Sequence, residues 1–352
     1  MLKNIDFLKE LSLAFGPSGY ENEIREIIKR EIFSLPDSIT EDGVGNLIAY
    51  VRGERSDMRL MISAHMDEVG FMVTGADGCG GLCFTGVGGM DARILCGKRI
   101  TIQGNRGQLI KGVISSKPIH MQSRDERSRA PKAENLFIDV GASSDKEALD
   151  LAGKGSLAVF DSDFVEFGDG KIKGKALDDR AGCFIMADML RRIRSIKLCP
   201  PCDTYFVFGT REEIGLSGAA TAASSISPTH AMVLETTAVS DLPDVPAHKC
   251  AARQGDGGVI SIIDNGTVYS QELVSAAIRT ADEKNIRAQI KKYKSGGNDS
   301  SHIQKSGSGC KVLALSIPTR YLHSPSCVIA EDDLTAVSEL AFALLKTGAL
   351  LI

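Results

Sequence analysis

The chain contains no tryptophan, and aromatic residues make up only 5% of it. Few flat apolar faces are therefore available for stacking sugar rings or bases. No apolar run approaches the 18 or so residues of a membrane-spanning helix. No long basic run is present and the net charge is only −4, so neither nucleic acid nor a membrane surface is an expected partner. The opening Met1–Asp6 stretch lacks the apolar centre of a secretory signal, and a cytoplasmic protein is expected. Nine cysteines, an odd number at irregular spacing, argue against a disulfide framework. Cys199-Pro200-Pro201-Cys202 has the C-x-x-C form but precedes a strand instead of opening a helix, which reads as an inert turn. Cys79 and Cys83 fall in a glycine-rich hairpin and read as structural.

What is present is enough apolar residue for a sizeable core: 352 residues, 43% hydrophobic, which suggests two domains. Leu60–Ser63, Tyr205–Phe208, Ala231–Leu234 and Val312–Ile317 are short apolar runs, each followed by polar residues or glycine. Such runs predict buried strands of a largely parallel sheet. Helical patterns at Ala181–Ile193 and Leu273–Glu283 lie between them. The fold class read from this is α/β, a mostly parallel sheet with flanking helices.

The segments outside these runs have their own texture. Residues 1 to about 35 read as helix, Gly-Pro turn, helix, and residues 41–53 as a short strand pair. From about 70 to 165 glycine becomes dense and short alternating runs such as Arg99–Gln103 and Gly107–Ile114 appear. That is the texture of a small β-barrel inserted into the α/β body. Within the insert, Arg124–Arg129 is a mixed-charge cluster, read as a solvated loop or a subunit contact.

In open α/β sheets ligands bind beyond the carboxyl ends of strands. Several acidic and histidine residues fall there. His65 and Asp67 follow the first run, and Asp178 opens a helical pattern. Glu212-Glu213 follow the second run, Glu235 the third, and His323 lies beyond the fourth. Two imidazoles and several carboxylates are what a hydrolytic two-metal centre requires. Two metals about 3.5–4 Å apart can activate a water and polarise an amide carbonyl. These ligand types suit Zn²⁺, and also Co²⁺ or Mn²⁺. A short carboxylate at Asp178 can bridge. Asp67, two residues from His65, can fix its tautomer. Of the adjacent Glu212 and Glu213, one can face a metal and the other the water. A lone histidine is usually structural, and His120, His230 and His248 read that way. His302, after Asn298-Asp299, is left between the two readings. Asp179 reads as a helix-start hydrogen bonder, Arg320 as a support for the His323 loop, and Glu68 as a neighbour of the ligands or, equally, as a cap or a solvated side chain.

Ala64–Gly70, Gly88–Asp91, Asn135–Ala142, Lys175–Arg180, Glu212–Gly215, Gly296–Asp299 and Arg320–Pro325 occur in this order along nearly the whole chain. In these motifs the chain resembles metallopeptidase family 42. These are dinuclear-metal aminopeptidases that assemble into tetrahedral particles, some of them labelled endoglucanase or cellulase M. The resemblance implies a zinc-peptidase-like α/β/α catalytic domain, residues 1–69 and 166–352, and a PDZ-like barrel, residues 70–165, for assembly or access. It implies two divalent ions per subunit, one held by His65, Asp178 and Glu235, the other by Asp178, Glu213 and His323. Glu212 would be the general base and Asp67 would orient His65. Many members have Asp where this chain has Glu235, and Gly-Thr-Asp where it has Gly297-Asn298-Asp299. The implied partners are short peptides and further copies of the chain, in a dimer or a dodecamer.

Three rival functions follow from the same residues. A glycoside hydrolase needs two carboxylates flanking the bond and leaves the paired histidines unexplained. A non-catalytic metal-binding particle protein predicts a lost ligand or base, yet all are present. A deacylase or amidase could use the same centre on non-peptide amides, and only the pocket lining separates it.

Overall fold

The computed structural model describes residues 4–243 and 245–352. Strands in chain order are β1 (Ser38–Glu41), β2 (Leu47–Val51), β3 (Arg59–His65), β4 (Gly70–Ala76), β5 (Leu82–Val87), β6 (Arg99–Gln103), β7 (Leu109–Ser115), β8 (Phe137–Asp139) and β9 (Leu157–Phe160). They continue as β10 (Val165–Phe167), β11 (Lys171–Gly174), β12 (Asp203–Gly209), β13 (His230–Ala238), β14 (Gly258–Ile260), β15 (Ala288–Ile290), β16 (Lys311–Thr319) and β17 (Cys327–Ala330). The helices are α1 (Ile5–Leu13), α2 (Asn22–Ile32), α3 (Arg124–Ser128), α4 (Asp145–Leu151), α5 (Leu177–Ser195), α6 (Ser217–Ile226), α7 (Gln271–Lys284), α8 (Ser300–Ile303) and α9 (Glu331–Thr347).

The main sheet has eight strands in the order β1-β2-β12-β3-β13-β16-β14-β15. Its centre is the four predicted apolar runs, all mutually parallel: β12 with β3, β3 with β13, and β13 with β16. Nearly every residue of these strands is buried, so both faces are covered and the runs are continuously apolar instead of alternating. The flanks β1-β2 and β14 are antiparallel additions, too short and mixed in sequence to stand out beside the centre. Helix α5 packs on β3 and β13 and against α1, α2 and α9, whereas α6 packs on β12 and β3 and against α8. Helix α2 shows why these segments are helical: Ile24, Ile27, Ile28 and Ile32 recur at helical spacing, and all are buried. Gly348, at φ +67°, ends α9.

The stretch from Gly70 to Phe160 closes a six-stranded barrel, β4-β5-β8-β7-β6-β9. It has an apolar core of its own, in which Phe71 meets Phe84 and Phe160 edge-on, each pair 5.2 Å apart. A small three-stranded sheet, β10-β11-β17, follows the barrel. Helix α3, the mixed-charge segment, carries a capping box between Ser123 and Glu126 and is wholly exposed. All nine cysteines are free, with Cys199 exposed and Cys202 buried in the turn before β12. Among the described residues no helix is long and apolar enough to cross a membrane.

Candidate metal centre

The centre lies where the main sheet opens. β3 and β13 pair only from Leu60 with His230 to Ser63 with Val233. Beyond that point β3 continues along β12, with His65 opposite Gly209, and β13 continues along β16, with Glu235 opposite Ser316. His65 and Glu235 are each two residues past the last β3–β13 pair, so they face one another across the gap. Glu235 is therefore not at the end of its strand, since β13 runs on to Ala238.

Three further segments close on this gap. Asp178 stands at the start of α5 with non-helical backbone (φ −88°, ψ 106°) instead of within its first turn, and the Asp178–Asp179 peptide is cis. Glu212 and Glu213 sit in the turn between β12 and α6, and His323 in the turn between β16 and β17. Ala176, Arg211, Tyr321 and His323 all adopt left-handed backbone, with φ between +50° and +58°. Each such residue costs roughly 1–2 kcal/mol. They lie in the segments that carry Asp178, Glu212 and His323, so the strain falls where the candidate ligands are brought together.

The distances are close-knit. Asp178 Oδ1 lies 3.5 Å from His65 Nε2, and Asp178 Oδ2 lies 3.2 Å from His323 Nε2. His65 Nε2 is also 3.7 Å from Glu235 Oε1, and His323 Nε2 is 3.4 Å from Glu213 Oε1. Donor atoms of His65, Asp178 and Glu213 lie within 4.8 Å of one another, and so do those of His65, Asp179 and Glu235. Either group could hold a metal ion. Asp179 is already engaged, with its carboxylate accepting from the backbone N–H of Gly182 at 3.0 Å and of His65 at 3.3 Å.

The donor set fits divalent cations. Glu213 Oε1 and Asp299 Oδ1 are buried and accept no hydrogen bond. Burial, and then the neighbouring Asp178, push the Glu213 carboxyl up to about 8. Burial likewise pushes Glu235 up to about 7 and Asp299 to about 8. Burial is opposed at Asp178 by contacts from His323 and His65, which hold its carboxyl well below the usual range. His323 is raised to about 9, the Asp178 carboxylate outweighing its burial. The carboxyls crowded into this low-dielectric cleft outnumber the two imidazoles and the Lys291 ammonium beside them, and a coordinated dication would supply the missing positive charge.

Asp67 does more than the sequence shows. His65 Nδ1 is 3.1 Å from the Asp67 backbone carbonyl and 3.4 Å from Asp67 Oδ1. The carboxylate accepts from the backbone N–H of Glu212 at 3.0 Å and of Glu213 at 3.1 Å, and from the Ser18 hydroxyl at 2.5 Å. It therefore fixes the turn carrying both glutamates. Glu68 is neither a cap nor solvated: it is buried against Lys175 at 2.5 Å and Arg180 at 2.9 Å. Arg320 pairs through two hydrogen bonds with Asp241, beside the His323 turn. His302 bonds the neighbouring Ser301 hydroxyl, and His230 bonds Thr229 and the Ile352 carbonyl.

Four contributors had no role assigned from the sequence. The barrel, whose sequence holds none of the candidate ligands, reaches the centre through Gly88-Gly89. The Gly89 carbonyl lies 2.7 Å from His323 Nδ1. Gly88 has φ +86°, and a Cβ there would lie 2.8 Å from Val69 and 3.3 Å from Glu213, so only glycine fits. Asp299 comes to the centre from the start of α8. Lys291 and Asp264 line the cavity of about 260 Å³ in front of His65, Asp178 and Glu235. Gly-Gly and Asn-Asp were visible as motifs, but Lys291 stood in a Lys-Lys-Tyr-Lys run indistinguishable from a solvated surface.

Fold and site together define a hydrolase of the α/β metallopeptidase class. The comparisons make the family explicit: the model of the M42 glutamyl aminopeptidase family matches residues 45–340, and the chain belongs to this family of peptide hydrolases. It is 34% identical over 346 residues to the putative aminopeptidase FrvX of Escherichia coli, covering 98% of this chain and 95% of that one. The TET aminopeptidase of a marine sediment thaumarchaeon superposes with a TM-score of 0.94 at 32% identity, over 97% and 95% of the chains. A Thermotoga maritima structure described as an endoglucanase superposes with a TM-score of 0.80 at 37% identity, over 97% of both chains.

Proposed function

We propose that the protein is a dinuclear-metal aminopeptidase that removes N-terminal residues from short peptides. The observation that carries this reading is Asp178, whose two oxygens face two different imidazoles, His65 on one side and His323 on the other. His65, Asp178 and Glu235 would hold one ion; Asp178, Glu213 and His323 the other. The donors suit Zn²⁺ or Co²⁺, with Mn²⁺ a third candidate. When bound, such ions polarise the scissile carbonyl and acidify water.

The chain's own groups do the rest. Glu212 stands beside the ligands with its carboxyl pushed well up, first by burial and then by Glu235, Asp299 and Glu213 against His65. A carboxylate of raised proton affinity can take the water's proton and hand it to the leaving amine. Asp67 holds Glu212 and Glu213 by their backbone N–H groups and leaves both side chains free for these tasks. Glu235 reaches across the gap from mid-strand, its Oε1 3.7 Å from His65 Nε2.

No Phe, Tyr or Trp lines the cavity among the described residues, which disfavours sugar stacking and the endoglucanase reading. By the same resemblance, residues 1–69 and 166–352 would be the catalytic domain and 70–165 an assembly and access domain. The protein would act in the cytoplasm, in keeping with its unpaired cysteines, as a dimer-based homo-oligomer up to a dodecamer. The test is release of p-nitroaniline from amino-acid p-nitroanilides by protein reconstituted with each metal. Glu212→Gln should lower kcat by roughly 10²–10⁴, the worth of a positioned general base. Activity untouched by the substitution, or cleavage of carboxymethylcellulose instead, would overturn the proposal.

A further inference from the structure

The gap that holds the centre also leaves a length of sheet edge without a partner strand. β13 pairs with β3 only as far as Val233 and then runs on to Ala238 with β16 alone. Backbone groups along a strand alternate between its two sides, and the Val239 N–H donates to the Thr319 carbonyl of β16 at 3.1 Å. Thr237 therefore turns its backbone groups to β16, while Thr236 and Ala238 turn theirs to the gap. The Thr236 N–H is taken by Glu235 Oε1 at 2.9 Å. The Thr236 carbonyl and the Ala238 N–H are left facing the cavity, which both residues line. The Thr236 hydroxyl is buried with no hydrogen-bond partner. The opposite bank is closed: the His65 N–H donates to Asp179 at 3.3 Å and the Met66 N–H to the Gly209 carbonyl at 2.7 Å. Behind the centre the gap shuts at Ser63 and Val233. A bound chain can continue only outward, past Thr237 to the exposed Ala238.

We propose that this free edge of β13 binds the backbone of the substrate, which adds to it as a short parallel strand. The proposal rests on the aminopeptidase reading and supplies the subsite for the residues that follow the scissile bond. In a parallel pair, one residue donates its N–H to a carbonyl of the neighbouring strand. Its own C=O accepts from the N–H two residues further on. The Thr236 carbonyl and the Ala238 N–H form such a pair, with Thr237 between them. The residue they hold is the second after the scissile bond, because the nitrogen of the first is the leaving amine. β13 runs from the centre outward, so a parallel peptide has its N-terminus at the centre and its C-terminus outside. That is the orientation an enzyme removing N-terminal residues requires. Main-chain bonding of this kind gives affinity without reading side chains.

The experiment compares three substrates that share X, the N-terminal residue released fastest from a panel of p-nitroanilides. They are X-p-nitroanilide, the tripeptide amide X-Ala-Ala-NH2, and the depsipeptide X-Ala-lactamide, in which an ester oxygen replaces the second amide N–H. Release of X by the metal-reconstituted protein is measured. The wild-type chain should cleave the tripeptide with a kcat/KM roughly 3- to 10-fold above that of the depsipeptide, the scale of one neutral hydrogen bond. Ala238→Pro removes the donor at a position where the N–H does not serve the ladder to β16. Its ratio of tripeptide to p-nitroanilide kcat/KM should fall by a similar factor, whereas Ala238→Gly, which keeps the N–H, should hold that ratio. Depsipeptide cleavage as fast as the tripeptide's overturns the proposal, and this comparison depends on no variant folding. An equal fall of the ratio in Ala238→Gly and Ala238→Pro overturns it too. Either result leaves the aminopeptidase reading standing while p-nitroanilide is hydrolysed. No release from any p-nitroanilide or either peptide, with any metal, removes that reading and the proposal with it.

Discussion

At the scale of single residues the centre is held by a carboxylate that need not touch a metal. Asp67 is fully buried, and His65, Ser18, Glu212 and Glu213 all converge on it. Burial would raise its carboxyl, but His65, Ser18 and the Glu212 N–H hold it below the ordinary value, so it stays charged. Asp67→Asn keeps the shape but removes the charge and turns one oxygen into a donor aimed at N–H groups. One of the Glu212 and Glu213 amides must then lose its acceptor. The expected outcome is a 10- to 100-fold weaker affinity for Zn²⁺, as for other losses of a group that orients metal ligands, read by competition with a chromogenic chelator. A wild-type affinity in Asp67→Asn would show that the turn holds its shape without it.

At the scale of elements, the piece that joins the site to the fold is Arg180, near the start of α5. Its fully buried guanidinium donates to the carbonyls of Leu11, Ala14, Gly16 and Met66 and to Glu68. It thus ties the end of α1, the Gly-Pro turn and the exit of β3 to the helix that begins with the bridging aspartate. Arg180→Met fills the space but takes this donor from the Leu11 and Met66 carbonyls, and leaves the Ala14 carbonyl and the Glu68 carboxylate with Lys175 and the Gly16 carbonyl with the Glu68 N–H. Loss of one partner of a buried ion network costs about 3–5 kcal/mol. Urea unfolding should show that loss as a lower midpoint with an unchanged slope. This network also shows where the sequence stopped being legible. The parallel centre of the sheet, the barrel and the histidine and carboxylate ligands could be read because each carries a local signature: an apolar run, an alternating run, a polar residue just past a strand. Arg180, Lys175, Ser18 and the Gly89 carbonyl could not, because what they do depends on partners 49 to 234 residues away. The same lack of local signal hid the strand continuation past Glu235, since β13 exchanges β3 for β16 alone without any change in its apolar pattern.

At the scale of the whole molecule, the candidate ligands come from β3, the start of α5, the turn after β12, the middle of β13 and the turn after β16. No single segment can bind a metal in their absence, so an ion bound here favours the folded chain alone. Such a ligand stabilises by RT ln(1 + [L]/Kd), about 2.7 kcal/mol at a hundredfold excess over Kd. For a chain of this size that is worth roughly 4 °C in Tm. The sign is reinforced by electrostatics, because without cations burial first, and then the neighbouring carboxylates, drive the Glu213, Glu235 and Asp299 carboxyls toward protonation near neutral pH. Calorimetry at fixed protein concentration, which keeps any gain from self-association constant, should therefore show a lower Tm after EDTA and a restored one with Zn²⁺. In a His65→Ala/His323→Ala variant the two scans should coincide, since both imidazoles that face Asp178 are gone. If wild-type protein melts at the same temperature with and without the metal, the cleft is an acidic cavity held by packing alone, and the dinuclear reading falls with it.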